Sequence, residues 1–333
     1  MRIVVAHSHL NTLGGGERAT LELLKRLSAR HEVELWVGGY APARTFAGFE
    51  AFPRRELAAR EWLTARPRAD VVVAETFGAY LLALRHPRTV CYLHTLRAVY
   101  LAGGRRPDLL ARRALDALAL RRAAALLANS DFTAERAQAR YGRRVAVVPP
   151  GVEEALFALP ERVGEYALFV GRLAPEKGIE RLLRWSREVP VELVVAGEGA
   201  PAYVARLRAL AGPRTRFTGP LTGAALLEAY AGARYLAFVP HMEELGLAAL
   251  EAMAAGKPVL AAPEGGLGAL VREGETGFLV RDAAEFARAS ERLLGDEALC
   301  RRLGRAGRER ARPYTWQRFA EGIEAACVAA MER

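Results

Sequence analysis

The sequence contains no run of 18 or more apolar residues, so no membrane-spanning helix is expected. Its beginning, MRIVVAHSHL, starts like a β-strand and lacks the pattern of a signal peptide. There are only three cysteines, Cys91, Cys300 and Cys327, and their spacing fits no metal-binding motif. An odd number of cysteines without such a framework favours reduced thiols and a cytoplasmic protein.

Paired carboxylates are also missing, because the six aspartates are scattered and no Asp-x-Asp sequence occurs. Sites that bind phosphates through Mg²⁺ or Mn²⁺ usually show such carboxylates. His7 and His9 follow the first predicted strand, but no third metal ligand lies near them in the sequence. The sequence therefore predicts no metal site.

Lysine is scarce, since Lys25, Lys177 and Lys257 are the only lysines among 48 basic residues and the others are arginine. The net charge is +10, which favours an anionic partner such as a nucleotide, an acidic lipid surface or nucleic acid. A solvated arginine surface without a partner is the alternative. Within this arginine-rich background, Lys177 is a candidate for a point-charge role.

The chain has 333 residues, of which 51% are hydrophobic, and this predicts two domains with separate cores. In the first half, short β-rich runs alternate with amphipathic helical stretches. Apolar strands separated by helices predict a parallel, doubly wound α/β sheet. The predicted strands are 2–6, 32–37, 70–74, 88–93, 124–128 and 144–148, and the predicted helices are 16–29, 108–122 and 131–140.

Pro149-Pro150-Gly151 interrupts this alternation, and residues 151–164 follow without a clear period. We interpret 151–164 as a linker between a first domain, 1–150, and a second domain, 165–312. The alternation restarts in the second domain, which predicts a second sheet of the same Rossmann-like type. Its predicted strands are 166–170, 191–196, 214–218, 234–239, 258–261 and 277–280, its helices are 282–294 and 296–310, and a last helix spans 314–331.

Ligands of open parallel sheets bind beyond the carboxyl ends of the strands, so two facing domains predict a cleft between them. The segment GRLAPEKG, 171–178, follows the first strand of the second domain and places Arg172 and Lys177 in a strand-to-helix loop. Two cations there can bind a diphosphate and stabilise charge that builds on a leaving group. A charged surface turn is the alternative.

Residues 240–280 contain two glutamates, Glu243 and Glu251, with seven residues between them. Gly246 lies where the Ala/Leu-rich run LAALEAMAAG begins, and the free N–H groups of a helix's first turn form an anion site. Glu251 lies roughly one and a half turns into this helix. Two acids around an anion site suit the hydroxyls, diphosphate and ribose of a sugar nucleotide. A surface glutamate before an ordinary helix is the alternative.

The first half has two further candidate sites. The segment GGGER, 14–18, opens a helix with Gly15 and Gly16, where glycine lets the backbone approach a phosphate closely. His94, in the segment CYLHT, 91–95, falls at the end of a predicted strand and would face the cleft. A loop and a histidine with purely structural roles are the alternatives.

Taken together, these segments resemble the retaining glycosyltransferases of family 4, the group 1 glycosyltransferases, which have the GT-B fold. The resemblance is carried by VGRLAPEKG, VVAGEG, FTGPL and the Glu-x7-Glu segment with EAMAAGKPV, in the family's order. GGGER and CYLHTLRAVY look like the mannosyltransferase branch that uses GDP-mannose. The sequence departs from the family's usual Glu-Gly-Phe-Gly, since it has Glu243-Glu244-Leu245-Gly246.

The resemblance implies roles for individual residues at the donor. Arg172 and Lys177 would bind the diphosphate, and the amides of Leu245, Gly246 and Leu247 would bind its distal phosphate. Glu243 would hold sugar hydroxyls near the reacting carbon, and Glu251 would hold the ribose. Backbone from Gly219 to Leu221 would meet the base, Gly15 and Gly16 would approach phosphate or acceptor, and His94 would approach the sugar from the first domain. Helix 314–331 would pack back on that domain.

The resemblance also implies an activity. The chain would be a metal-independent retaining hexosyltransferase without a cofactor, which moves mannose or glucose from a GDP-sugar or UDP-sugar to a hydroxyl of a glycan, lipid or small molecule. A nucleotide-sugar epimerase of the same fold and a non-catalytic module that binds sugar nucleotides or nucleic acid are alternatives. A nicotinamide-dependent dehydrogenase or epimerase built on GGGERA is a third. For the enzyme no nucleic-acid partner is predicted, and peripheral contact with an acidic inner membrane face is left open.

Overall fold

The structure, a computed structural model, describes residues 1–96 and 107–332. Residues 97–100 of the segment CYLHTLRAVY lie outside the described residues. The chain divides into two compact units: unit 1 is Met1–Gly151 with Trp316–Arg333, and unit 2 is Val152–Thr315.

The described strands of unit 1 form a parallel sheet of seven strands. They are β1 (Arg2–His7), β2 (Glu32–Val37), β3 (Arg54–Glu56), β4 (Val71–Ala74), β5 (Thr89–Leu93), β6 (Ala125–Ala128) and β7 (Ala146–Val147). Their order across the sheet is β3-β2-β1-β4-β5-β6-β7. The central strands are apolar because both faces are covered, and all four residues of β4 are buried.

Helices on both faces of this sheet connect the strands. Those in the described part of unit 1 are α1 (Gly15–Ser28), α2 (Glu61–Thr64), α3 (Pro107–Arg122) and α4 (Asp131–Tyr141), with short 3-10 helices at Pro42–Arg44, Phe49–Ala51 and Ala79–Leu84. α4 begins where Ser130 accepts a hydrogen bond from the backbone N–H of Thr133, and it ends at Gly142 with φ of 65°. The sequence predicts this start from Asn129-Ser130-Asp131.

The described strands of unit 2 form a second parallel sheet, of six strands. They are β8 (Tyr166–Val170), β9 (Glu192–Ala196), β10 (Thr215–Gly219), β11 (Ala233–Phe238), β12 (Val259–Ala261) and β13 (Gly277–Leu279). Their order is β10-β9-β8-β11-β12-β13. Both sheets therefore have the doubly wound, Rossmann-like order that the alternation of strands and helices predicts.

The helices of unit 2 connect its strands and follow the last of them. They are α5 (Glu154–Phe157), α6 (Ile179–Trp185), α7 (Pro201–Leu210), α8 (Gly223–Gly232), α9 (Leu247–Ala254), α10 (Leu267–Leu270), α11 (Ala283–Gly295) and α12 (Glu297–Ala311), with 3-10 helices at Pro175–Lys177 and Ser186–Glu188. Asp282 and Asp296 cap α11 and α12 through the backbone N–H groups of Glu285 and Leu299, each at 2.8 Å.

The two chain segments that border unit 2 differ in where they pack. The last helix, α13 (Trp316–Met331), belongs to unit 1, where Phe319 is fully buried and its ring centroid lies 5.4 Å from that of Tyr92. Residues 152–164, which the sequence analysis interprets as linker, are assigned to unit 2. Leu156 is 1% exposed in the core of that unit. A four-residue helix such as α5 is too short to show a period in the sequence.

Across residues 1–96 and 107–332, none of the helices has both the length and the apolar character that crossing a bilayer requires. The three cysteines are free thiols, and each is buried.

Several arginines bind backbone carbonyls at the ends of helices. Arg143 donates to the carbonyl of Leu120 at 2.9 Å and to that of Ala123 at 2.6 Å, at the end of α3. Arg234 donates to the carbonyl of Leu293 in the same way, at 2.7 Å. The last carbonyls of a helix have no partner within the helix, and a cation there also complements the helix dipole. Part of the arginine surplus therefore stabilises the fold.

Replacing Arg143 by Ala should lower the free energy of unfolding of unit 1 by about 1–3 kcal/mol, because carbonyls at the end of α3 lose their donor. Hydrogen exchange of the amides in α3 and α4 measures this loss. Arg144→Ala, at the neighbouring exposed arginine, is the matched control and should change little. Equal losses from both variants would show that the carbonyl contacts contribute nothing specific.

Candidate functional site

The order of the strands in unit 2 reverses between β8 and β11, which lie side by side in the sheet. A crevice opens beyond the carboxyl ends of the strands at such a reversal, and ligands of doubly wound sheets bind there. The loop after β8 carries Lys177, and the loop after β11 carries Glu243. Strand order thus brings together two candidate residues that are 66 positions apart in the chain.

Lys177 and Glu243 form an ion pair in which Nζ lies 2.6 Å from Oε2. The side chains are 21% and 11% exposed, so both charges are largely removed from water and each depends on the other. The loops that carry them are fastened together, since the backbone N–H of His241 donates to the carbonyl of Glu176 at 2.9 Å. Arg181, on α6, adds bonds from its guanidinium to the carbonyls of Val239, at 2.7 Å, and Pro240.

Two glycines in the loop after β12 hold the backbone of Glu243 in place. The N–H of Gly266 donates to the carbonyl of Glu243 at 2.7 Å. Gly265 has φ of 75°, and a Cβ there would lie 2.0 Å from the same carbonyl oxygen. Only glycine permits that approach without strain. The sequence does not predict this contact, because it depends on how two separate loops pack.

Helix α9 begins at Leu247, directly after Gly246 in the cap position with φ of 89°. The N–H groups of Ala249 and Leu250 donate back to the carbonyl of Gly246, at 2.9 and 3.1 Å. By helix geometry, those of Leu247 and the residue after it have no partner within the helix, and they form the type of end that binds anions. Leu245, just before the cap, is 8% exposed.

Glu251 is half-buried on α9, where its Oε2 accepts a hydrogen bond from the hydroxyl of Tyr230 at 2.7 Å. Burial is the main cause that raises the pKa of Tyr230 well above its usual range, and the nearby Glu251 carboxylate is the second. Tyr230 therefore stays a hydrogen-bond donor and fixes the orientation of Glu251. Nothing in the sequence distinguishes Tyr230 from other core aromatic residues, since it lies in the Ala/Leu-rich helix α8.

The remaining predicted donor residues lie along the same edge of the sheet. Arg172 is exposed and forms an ion pair with Glu176 within its own loop, at 2.8 Å. Gly219 ends β10 with φ of 79°, and Leu221 follows it and is half-buried. The described contacts thus join Lys177 to Glu243, whereas Arg172 is paired locally.

Unit 1 has a second group of polar residues at the equivalent reversal, between β1 and β4. His7, Glu75 and His94 lie at the carboxyl ends of β1, β4 and β5, which are neighbours in the sheet. Glu75 is fully buried, and its Oε2 lies 2.6 Å from the hydroxyl of Thr20 on α1. Its Oε1 lies 3.9 Å from Nε2 of His94.

Burial makes this group electrically neutral around pH 7. It raises the pKa of the Glu75 carboxyl to about 8, against the opposing effect of the hydrogen bond with Thr20. It lowers the pKa of His94 to about 4. It also lowers the pKa of His7 well below its usual range, and nearby His94 and His9 act in the same direction. A buried carboxyl of raised pKa beside a histidine is a feature of functional sites.

Gly15 and Gly16 form the first turn of α1, and a Cβ on Gly16 would lie 3.9 Å from the ring of His94. The structure therefore brings the GGGER segment and His94 together, as two sites that the sequence analysis treats separately. Glu75 is missed there, although an acid directly after the apolar run VVVA is a signal that could have identified it.

Within the described ranges 1–96 and 107–332, no group of three or more His, Cys, Asp or Glu side chains is arranged to hold a metal ion. His7 and His9 are ring neighbours with centroids 5.7 Å apart.

Two family models match most of the chain. Residues 157–310 match the model described as "Glycosyl transferases group 1", and residues 13–156 match "Glycosyltransferase Family 4". The boundary between the two matches falls close to the boundary between the two units.

Curated relatives carry the name D-inositol 3-phosphate glycosyltransferase. The one from Nocardia farcinica is 33% identical over 264 residues, which cover 69% of this chain and 58% of the relative. The one from Geodermatophilus obscurus is 35% identical over 275 residues, which cover 72% of this chain and 60% of the relative. The alignments thus span about three fifths of the length of these relatives.

Solved structures with the same fold cover nearly the whole chain. Sucrose-phosphate synthase from Thermosynechococcus elongatus has a TM-score of 0.81 at 23% identity and covers 98% of both chains. HepE from Anabaena, in complex with UDP-glucose, has a TM-score of 0.81 at 21% identity, covering 98% of this chain and 100% of its own. At such identities the likeness shows the fold, and the predicted class, two Rossmann-like parallel-sheet domains of the GT-B type, is confirmed.

The buried Glu75 should make stability depend on pH. Folded Glu75 keeps its proton up to about pH 8, whereas an unfolded glutamate loses it near 4.5, so the folded state binds more protons between these values. The free energy of unfolding should therefore fall as pH rises through this window, by at most about 1.4 kcal/mol per pH unit. Glu75→Gln lacks the titrating proton and should lose this dependence.

Hydrogen exchange of the amides in β4 and β5 at pH 6 and pH 8.5 measures the effect, with rates corrected for the intrinsic dependence on pH. Glu154→Gln, at an exposed glutamate, is the control. A stability difference between Glu75→Gln and the wild type that stays constant with pH would contradict a buried, protonated Glu75.

Proposed function

The chain belongs to the group 1 glycosyltransferases of family 4, and from that premise we propose that it transfers a sugar from a nucleotide-diphosphate donor to an acceptor hydroxyl. The observation that carries the proposal is the Lys177–Glu243 pair, at the strand-order reversal of unit 2. The cation lies in the loop after β8, and the carboxylate and the start of α9 lie in the loop after the neighbouring strand, β11. These groups suit the diphosphate and the hydroxyls of a sugar nucleotide.

The difficult step is the departure of the diphosphate, which leaves positive charge on the sugar and gathers negative charge on the phosphate. In this proposal, that negative charge is stabilised by Lys177, Arg172 and the N–H groups of Leu245, Gly246 and Leu247. Groups that are held in place before the reaction stabilise charge without reorganising. The contacts that fasten the loops of Lys177 and Glu243 supply this preorganisation.

We further propose that the reaction retains the configuration of the sugar and needs no metal ion. The bond from the anomeric carbon to the phosphate oxygen breaks, and the acceptor oxygen bonds to that carbon on the same face. The acceptor's proton passes to the leaving phosphate. The absence of Asp-x-Asp from the sequence and the presence of Lys177 support charge stabilisation by protein cations.

The remaining residues receive supporting roles. Glu243 orients Lys177 and accepts hydrogen bonds from sugar hydroxyls. Glu251, held by Tyr230, accepts hydrogen bonds from the ribose. Backbone from Gly219 to Leu221 meets the base. In unit 1, His94 is the candidate catalytic residue, beside Gly15 and Gly16.

The donor is proposed to be a UDP-hexose or GDP-hexose. The GGGER and CYLHT segments resemble the branch that uses GDP-mannose, whereas the HepE structure contains UDP-glucose. The names of the curated relatives make a phosphorylated polyol one acceptor to test, alongside glycans and lipids. Peripheral contact with an acidic membrane surface stays a prediction from the net charge of +10.

A thermal-shift screen of the whole chain against UDP-, GDP- and ADP-sugars should identify the donor. A ligand at about 100 times its dissociation constant stabilises the protein by about 2.7 kcal/mol, so the cognate donor should stand out. Product analysis with the stabilising donor then tests for transfer with retention. An epimerised donor without glycoside, or stabilisation without turnover, would instead support an epimerase or a binding module.

Lys177→Gln tests the proposed diphosphate contact, because glutamine keeps a polar hydrogen-bond donor at this position but carries no charge. We expect donor affinity and kcat/KM to fall at least about tenfold, and Arg172→Ala to act in the same direction. Lys25→Gln, at a lysine that pairs with Glu22 on α1, is the matched control. Wild-type kinetics from both site variants would refute the phosphate role.

A further inference from the structure

The hydroxyl of Thr20 lies between the buried Glu75 carboxyl and the carbonyl of Gly16. Its Oγ1 is 2.6 Å from Oε2 of Glu75 and 3.1 Å from the carbonyl oxygen of Gly16. A hydroxyl has one proton to donate and lone pairs to accept with, whereas a carbonyl can only accept. Both contacts are hydrogen bonds only if Thr20 donates to Gly16 and accepts from a protonated Oε2. This arrangement agrees with the pKa of Glu75, which burial raises to about 8.

The other oxygen of Glu75 is then an acceptor. Oε1 and Nε2 of His94 are both buried, and neither has another hydrogen-bond partner among the described residues. They face each other across 3.9 Å. A buried donor or acceptor without a partner is destabilising, so closing this gap by about 1 Å to a normal hydrogen bond is favoured.

We propose that Glu75 is a positioning residue that holds His94 as its Nε2–H tautomer, through a hydrogen-bond chain from His94 to Glu75, Thr20 and the Gly16 carbonyl. In this chain Nε2–H of His94 donates to Oε1, protonated Oε2 donates to Thr20, and Thr20 donates to Gly16. The proton on Oε2 keeps Oε1 free to accept, so the opposite tautomer has no place in the chain.

The tautomer determines what His94 can bind. With the proton on Nε2, the lone pair is on Nδ1, which would lie 3.9 Å from a Cβ at Gly16 in the first turn of α1. The side chain keeps 17% exposure, so a ligand can reach the ring. Nδ1 can then accept a hydrogen bond from a ligand hydroxyl, as a sugar would offer. This catalytic consequence rests on the proposed sugar transfer, whereas the tautomer does not.

The surroundings of His94 support a fixed ring. Asn129 donates from its side chain to the carbonyl of His94 at 2.9 Å, and Tyr92 contacts the ring edge-to-face with centroids 4.8 Å apart. Among the described residues, the ionisable groups that interact with this pair from the packed elements are His7, Tyr80 and Tyr92. Burial keeps His7 and both tyrosines neutral at pH 7, so no full charge on them competes with the chain.

Long-range ¹H–¹⁵N NMR of the histidine rings at pH 7 tests the proposal without any ligand, because a protonated and an unprotonated ring nitrogen resonate far apart. The signals of His94 are assigned from the His94→Gln variant, since the chain has six histidines. We expect a protonated Nε2 and an unprotonated Nδ1 in the wild type. Glu75→Gln should keep this tautomer, because its amide nitrogen and oxygen can replace Oε2–H and Oε1.

Glu75→Met, of similar size but without a hydrogen-bonding group, should give a mixture of tautomers. Thr20→Val removes only the central hydroxyl of the hydrogen-bond chain and should also lower the population of the Nε2–H tautomer. A wild-type His94 protonated on Nδ1, or a single Nε2–H tautomer in folded Glu75→Met, would overturn the proposal. Near-UV circular dichroism establishes that each variant is folded.

Kinetics separate this inference from the proposed function. If the chain transfers sugar, kcat/KM should fall about tenfold in Glu75→Met and stay near the wild-type value in Glu75→Gln. Absence of sugar transfer with the predicted NMR pattern would refute only the proposed function. Sugar transfer with the tautomer unchanged in Glu75→Met would refute only the role of Glu75.

Discussion

The ion pair between Lys177 and Glu243 is the interaction on which the candidate donor site depends. Its two charges are largely withdrawn from water, so removing either one leaves the other without compensation. Two surrounding contacts hold the loop of Glu243 in position. Arg181 donates to a carbonyl of the loop after β11, and the N–H of Gly266 donates to the carbonyl of Glu243. In the proposed reaction, the donor diphosphate would meet a cation whose position is already fixed, which is the condition for charge stabilisation without reorganisation.

The two units place polar groups at the same point of the same sheet order, but burial gives them different chemistry. In unit 2 the pair keeps 21% and 11% exposure and is ionic. In unit 1, Glu75 has no exposure at all, and a carboxylate there would be unpaired and costly, so the carboxyl keeps its proton. Unit 1 thus presents neutral hydrogen-bonding groups, which suit hydroxyls, and unit 2 presents charges, which suit phosphates.

Some of the arginines in this basic chain stabilise the fold, which the net charge does not reveal. Arg143, Arg234 and Arg181 donate to backbone carbonyls, and in these contacts the guanidinium is a multiple hydrogen-bond donor. Position 177 has lysine, whose charge is more compact and more strongly hydrated than that of arginine. Its Nζ makes a short contact with the Glu243 carboxylate. Because some of these arginines bind backbone carbonyls, the net charge of +10 indicates an anionic partner less strongly than the composition alone would suggest.

The sequence by itself determined the local and periodic features of this protein. Alternating apolar strands and helices predicted two parallel sheets, and Gly246 before LAALEAMAAG predicted the start of α9, because both signals act within a few residues. Only the tertiary structure paired Lys177 with Glu243, 66 residues away, Tyr230 with Glu251, and Thr20 with Glu75 across 55 residues. In the structure, residues 152–164 of the predicted linker, 151–164, belong to unit 2. The physical reason is that strand order, which sets these neighbours, follows from how whole helices and strands pack, and burial, which sets the charge of Glu75, exists only once they have packed.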